Sequence, residues 1–308
     1  MPLLRQAQAA RAAASLIPLL LAGALAPAEP VAREARVVMG TLCEVQAAGL
    51  AEPAQALAAA FAALDLVDRQ MSLFHPSDLT RLNAAGAGRV PPELLAVLRH
   101  ARAVFVDSGG AFDPTAEPRR RSPRGMQRVH LEADGRVRLE PGTRVDLGGI
   151  AKGYAADLAV AALRGAGATA GLVDLGGSSL AVFGDPLTVE VRAERSGSAW
   201  AVFEVRGAQV STSGGSEQPG HILDPRTGRP ARSGLLAAAV VASAGIEADA
   251  LSTAVFVMGA ADGLALLERR GAAGLVLLME KGRRVVRSTA GFAERFALDV
   301  APGVKLNP

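Results

Sequence analysis

The stretch RVDLGGIAKGYAADLAVAALRGAGA, residues 144–168, sets out a strand, a glycine turn and a helix in succession. Val145 and Leu147 alternate with polar neighbours, and Gly148–Gly149 break the alternation. From Ala151 onward apolar residues recur at helical spacing until glycine returns at Gly165 and Gly167. Repeated regularly, such a unit would build a doubly wound parallel sheet. The rest of the chain does not repeat it. Residues 33–49 (REARVVMGTLCEVQAAG) alternate as one strand, and residues 53–71 form a helix with Leu57, Phe61, Leu64 and Val67 or Asp68 on successive turns. Residues 75–88 (HPSDLTRLNAAGAG) read as a loop carrying helix-start signals. Residues 91–110 are a helix opened by proline and closed by glycine. Asp134-Gly135 marks a hairpin within 129–142. Beyond residue 168 strands dominate, at 170–185, 187–194, 199–214 and 235–245. A helix follows at 247–259, and a closing hairpin at 274–292. The fold class is α+β, with mixed sheets and packed helices.

The chain has 308 residues, half of them apolar, and a formal net charge of +3. That suits a globular protein with a substantial core and argues against disorder. The densest basic run, Arg119-Arg120-Arg121 with Arg124, lacks the broad stripe and stacking aromatics of a nucleic-acid protein. It reads as a solvated loop.

Residues 1–26 read as a Sec signal peptide. Arg5 and Arg11 precede an apolar run too short to span a bilayer, and Ala24-Leu25-Ala26 gives the cleavage pattern. The mature chain, 27–308, is expected to be a single domain, exported to the periplasm and not itself membrane-spanning. The lone cysteine, Cys43, lies far past the cleavage region, so it offers no lipid anchor there, and it has no internal partner.

Four stretches carry chemistry. In VDLGGIAKGYAAD (145–157) a glycine turn opens a helix beside Lys152, which suits an anion, although a structural turn is an equal reading. On the helix at 247–259, Asp249 and Thr253 stand four apart, so both oxygens share a face. A hard cation such as Mg²⁺ or Mn²⁺ accepts that pair, and so does a helix cap with a local hydroxyl bond. HILDPRTGRP (221–230) places His221 at the mouth of an Asp-Pro turn, following the small-residue strand end VSTSGG (210–215). GGAFDPT (109–115) is a second stiff turn with a carboxylate, Asp113.

Read in order, VVMGT, MSLFHPSDLTRLN, GGAFDPT, VDLGGIAKGYAAD, GLVDLGGSSLAVFG, STSG, HILDPRTGRP and ADALSTAVFVMG resemble the ApbE family of FAD:protein FMN transferases. The resemblance implies Mg²⁺-dependent transfer of FMN from the substrate FAD to a Thr or Ser hydroxyl of an acceptor flavoprotein, with AMP released. It implies Gly149, Asp249 and Thr253 as metal ligands. It places Met39, Phe74, Ala111, Phe112, Asp113, Asp146, Lys152, His221 and Ile222 at the FAD site, with His221 as the base. The same residues would serve an FAD pyrophosphatase, and an exported FAD-binding protein without turnover is the reading from another class. The sequence departs from the family after Thr115, where an apolar stretch gives way to AEPRRRSPRG. It also has Phe74 where tyrosine is common.

Overall fold

The computed structural model describes residues 20–22, 31–116, 124–193, 197–214 and 222–307. A nine-stranded sheet forms the middle layer, in the order β18 (Val304–Asn307), β16 (Arg283–Ser288), β15 (Ala273–Glu280), β14 (Leu235–Ala242), β11 (Gln209–Gly214), β8 (Ser179–Phe183), β7 (Ala170–Leu175), β3 (Thr41–Ala48), β2 (Val31–Val38). Its neighbours are antiparallel except β16 and β18. A four-stranded sheet covers one face, in the order β1 (Leu20–Ala22), β9 (Leu187–Arg192), β10 (Ala199–Val205), β17 (Asp299–Val300). Three residues of the segment read as a leader thus pair with β9 at a sheet edge. Two small sheets lie outside these layers: β4 (Ala87–Arg89) with β6 (Arg136–Leu139) and β5 (Val129–Leu131), and the pair β12 (Leu223–Asp224) and β13 (Arg229–Pro230).

The helices α1 (Pro53–Met71), α4 (Ala151–Gly165) and α5 (Gly245–Met258) cover the other face of the large sheet, joined by α2 (Asp78–Ala85), α3 (Pro92–Asp107) and α6 (Ala260–Arg269), whereas Phe292 of the short α7 (Phe292–Arg295) packs in the core shared with the four-stranded sheet. The unbroken apolar run of β14 follows from this layering. Ala238, Val240 and Ala242 face the helices, while Ala237, Ala239 and Val241 face the four-stranded sheet. A strand covered on both sides has no polar alternation to show. On α1, Leu57, Phe61, Leu64 and Val67 are all buried. Each large apolar side chain taken out of water there contributes about 1.5–3 kcal/mol.

Five expectations are corrected, two of them because 170–185 and 199–214 are each two strands, β7–β8 and β10–β11. Residues 33–49 are not one strand but the hairpin β2–β3, because Met39 and Gly40 both take left-handed backbone (φ 54° and 72°) and turn the chain in two residues. Residues 78–85 are a helix, α2. Ser77 caps it by accepting from the Thr80 N–H at 3.0 Å, and left-handed Gly86 ends it. Residues 144–147 form no ladder. Val145 instead exchanges two 2.8 Å bonds with the side-chain amide of Asn83, so one Asn replaces a neighbouring strand. The helix 260–269 had no sequence assignment. Among the described residues no helix is long and apolar enough to cross a membrane.

Candidate functional site

The polar centre lies where α4 and α5 cross above β8 and β11. The crossing is closed to side chains. A Cβ on Gly153 would overlap the Gly245 carbonyl oxygen and stand 2.7 Å from the Asp249 Cβ, and a Cβ on Gly245 would overlap the carbonyl of Gly153. Two glycines therefore bring the helix backbones together. At this contact Asp249, buried on α5, accepts the Gly153 N–H through Oδ2 at 2.9 Å. Its Oδ1 faces the hydroxyls of Ser211 at 3.1 Å and Ser179 at 3.4 Å. Ser179 and Ser211 are direct cross-strand partners on β8 and β11 and point at the helices, because Leu180 and Val210 take the opposite face.

The chain of hydroxyls continues to Thr253. Ser252 Oγ donates to the Asp249 carbonyl at 2.9 Å and stands 2.9 Å from Ser213 Oγ, which lies 3.3 Å from Thr253 Oγ1. Gly149 borders Thr253 as well. A Cβ there would sit 3.3 Å from Thr253 Oγ1 and 3.4 Å from the Phe112 ring. Gly149, distant in sequence, thus lies beside Thr253, which the serine hydroxyls link to Asp249 one turn earlier on α5.

The three residues expected as ligands would offer a carboxylate, a hydroxyl and a backbone carbonyl, all hard oxygens of the kind Mg²⁺ or Mn²⁺ takes. Among the described residues no group of three or more His, Cys, Asp or Glu could hold a metal, so a cation here would need hydroxyl and carbonyl oxygens beside the Asp249 carboxylate. The missing Gly149 side chain lets the Thr253 hydroxyl come close to the glycine turn, which fits that requirement.

The remaining expected residues fall in two groups. Lys152 Nζ donates to Ser178 Oγ, and the Ser178 carbonyl accepts from the Thr212 N–H at 2.8 Å, which brings the helix start to the β11 strand end. Ala111 and Phe112 are buried, Phe112 against Gly149. Asp113 folds its carboxylate back onto the Thr115 N–H at 2.9 Å and hydroxyl at 2.7 Å, and burial pushes its carboxyl above the usual range. The Pro114 carbonyl accepts the Asp146 N–H at 2.7 Å, which ties this turn to the glycine turn. Asp146 itself closes a turn on the Gly148 N–H at 2.8 Å.

Met39 sits at the β2–β3 tip, in a left-handed conformation that costs a non-glycine residue about 1–2 kcal/mol. Phe74 is 80% exposed and touches none of the residues above through a described bond. Ile222 packs on the helical core. His221 lies outside the described residues, as do Arg119–Arg121. The turn after His221 is described: Asp224 accepts from Arg226 Nε at 2.9 Å and, through its carbonyl, from the Gly228 N–H at 2.7 Å. Arg124 lies against Gly228 and exerts its charge on both Asp113 and Asp224, so two loops separated in sequence meet there.

Sequence reading missed Ser178, Ser179, Asp157 and Asp174. Ser179 had one local signal, a hydroxyl opening a wholly buried strand. Asp157 on α4 accepts the Gly245 N–H at 2.6 Å and the Ile246 N–H at 3.0 Å, and so caps α5 from another helix. Asp174, next to Glu44 and Lys152, is raised to about 6, chiefly by burial, against the Gly177 N–H that it accepts at 2.6 Å. Cys43 is a free, buried thiol pushed up to about 12 by burial, which makes it inert.

Fold and centre together define an α+β protein whose polar heart is an oxygen-lined helix crossing beside a glycine turn. The ApbE family model matches residues 39–276, and the chain belongs to that family. It is 31% identical over 319 residues to the FAD:protein FMN transferase of Treponema pallidum, covering 85% of this chain and 87% of that protein. The apo flavinyl transferase ApbE of Pseudomonas stutzeri superposes with a TM-score of 0.77 at 29% identity, covering 87% of this chain and 97% of that one. The ApbE protein of Thermotoga maritima follows at a TM-score of 0.73 and 25% identity, covering 89% and 97%.

Proposed function

We propose that the chain is an FAD:protein FMN transferase, moving FMN from FAD onto a Thr or Ser hydroxyl of an exported or membrane-bound acceptor protein, with AMP as the leaving group. The observation that carries this reading is that the glycine turn at Gly149, which opens the helix bearing Lys152, lies against the α5 face that carries Asp249 and Thr253. The shared family and the printed activity of the Treponema pallidum relative support the flavin chemistry.

In this reading Asp249, Thr253 and the Gly149 carbonyl hold a divalent cation, which supplies positive charge against the FAD diphosphate. Lys152 adds a second positive charge, released from Ser178 toward the diphosphate. Met39, Phe112 and Ile222, with Phe74, Ala111, Asp113 and Asp146, border the nucleotide. The Phe112 ring packs against Gly149. His221 takes the proton of the acceptor hydroxyl, worth about 10²–10⁴-fold in rate. That oxygen bonds to the phosphorus of the FMN half as the bond to the AMP phosphate breaks. The signal segment 1–26 and a periplasmic mature chain 27–308 belong to the same proposal.

The test is to incubate the mature chain with FAD, Mg²⁺ and an acceptor domain bearing a flavinylation-type threonine, then read the acceptor's intact mass and the free nucleotides. An acceptor heavier by one FMN residue, with AMP released, is expected. Free FMN and AMP beside an unmodified acceptor would assign hydrolysis instead, and bound, intact FAD would assign storage.

A further inference from the structure

The helix crossing is a reciprocal device. Gly153 and Asp157 stand four apart on α4, and Gly245 and Asp249 stand four apart on α5. Each aspartate accepts the backbone N–H of the other helix's glycine: Asp249 from Gly153 at 2.9 Å, Asp157 from Gly245 at 2.6 Å. Each carboxylate therefore sits at the positive N-terminal end of the opposite helix. The sequence signature is Gly-x-x-x-Asp twice, as GYAAD and GIEAD.

The two halves differ in one respect. Asp249 directs one oxygen at backbone and the other at the Ser179 and Ser211 hydroxyls, which can rotate away. Asp157 has both oxygens on backbone N–H groups, those of Gly245 and Ile246. A carboxylate so held is placed for fixing a helix rather than for taking a ligand.

We propose that Asp157 is a positioning residue for the oxygen centre, an inference that rests on the cation site proposed above. The glycine contact sets how close α4 and α5 come, and the Asp249 bond to Gly153 ties them at one point, about which α5 can still turn. The Asp157 bridge removes that freedom at the N-terminus of α5, one turn before Asp249 and two before Thr253. Without it, Asp249 and Thr253 no longer hold their place against Gly149, which stands at the start of α4.

The experiment measures Mn²⁺ binding to the FAD-free mature protein by electron paramagnetic resonance, for the wild type, Asp157→Ala, Asp157→Asn and Asp249→Ala, with thermal melting in parallel. Replacing a residue that orients a ligand weakens metal binding about 10–100-fold, which is the loss expected for Asp157→Ala. Asp157→Asn should lose less, since its amide oxygen still accepts the Gly245 N–H while its NH₂ cannot serve Ile246. It also carries the test should the alanine variant fail to fold. Wild-type Mn²⁺ affinity in a folded Asp157 variant, whatever its melting temperature, overturns the proposal and assigns the bridge to stability alone. Equal Mn²⁺ binding by wild type and Asp249→Ala would overturn the cation site itself. That result is separable from one in which only Asp249→Ala loses binding.

Discussion

The N–H of Gly153 donates to the carboxylate of Asp249, 96 residues further along the chain, at 2.9 Å. One bond thus joins the helix that opens at the glycine turn to the helix that carries the expected cation ligands. Asp249→Asn keeps an oxygen for Gly153, and its NH₂ can face the Ser179 and Ser211 hydroxyls, which rotate to accept. This variant should hold its melting temperature to within a few degrees while losing metal-dependent transfer. Retained transfer would remove the carboxylate from the site.

Glycine is required at 153 for space and is merely tolerated at 165. A Cβ at Gly165 meets nothing within 4 Å, whereas one at Gly153 overlaps the Gly245 carbonyl. Overpacking of this kind costs about 1–3 kcal/mol or more, so Gly153→Ala should lower the denaturation midpoint clearly. Gly165→Ala should leave it unchanged or raise it by up to about 1 kcal/mol. Equal effects in urea melts would refute the close crossing.

Asn83, itself buried, holds both backbone groups of Val145, two residues before the glycine turn reaches Leu147. Asn83→Ala leaves that N–H and C=O unpaired in the interior, at about 1–3 kcal/mol. Because Gly149 hangs from the same segment, the KM for FAD should rise as well. Stability falling with an unaltered KM would show that the turn is held elsewhere.

The Asp174 carboxyl, raised to about 6 by burial and by Glu44, favours its proton in the folded state. The stability it contributes is present in full below the ordinary carboxylate range near 4 and is lost as pH rises through about 6. Asp174→Asn, which keeps an acceptor for the Gly177 N–H, should flatten the fall in urea midpoint between pH 4 and pH 7. An identical slope in both proteins would contradict the shifted carboxyl.

Glu247, in the first turn of α5, has the opposite sign. Burial pushes its carboxyl up, but His100 at 2.6 Å and a two-pronged contact with Arg270 at 2.7 and 2.8 Å pull it down to about 2. Its contribution is present above the usual range near 4.5 and is lost as pH falls through about 2. Arg270→Ala should cost about 1–3 kcal/mol at neutral pH and move acid unfolding to higher pH. Unchanged acid unfolding would mean that His100 alone suffices.

Helical and strand periodicity determined much of this protein from the sequence alone. The span 53–71 is marked by Pro53 and by Leu57, Phe61, Leu64 and Val67, and matches α1 residue for residue. The Asp134-Gly135 hairpin and the helix bearing Asp249 and Thr253 were equally local in origin. The expected ligand trio rests on family resemblance, and the approach of Gly149 to Thr253 was left to the fold. Tertiary structure decided what depends on partners distant in sequence. Residues 144–147 read as a strand, yet the Asn83 amide satisfies Val145 and no ladder forms. Ser179 and Ser211 belong to the centre only because strand register sets them opposite each other beneath α5. Periodicity records which face of an element is apolar, and no residue on α4 records that Asp157 will meet the N-terminus of α5. That is fixed by two glycines whose missing side chains let the backbones touch.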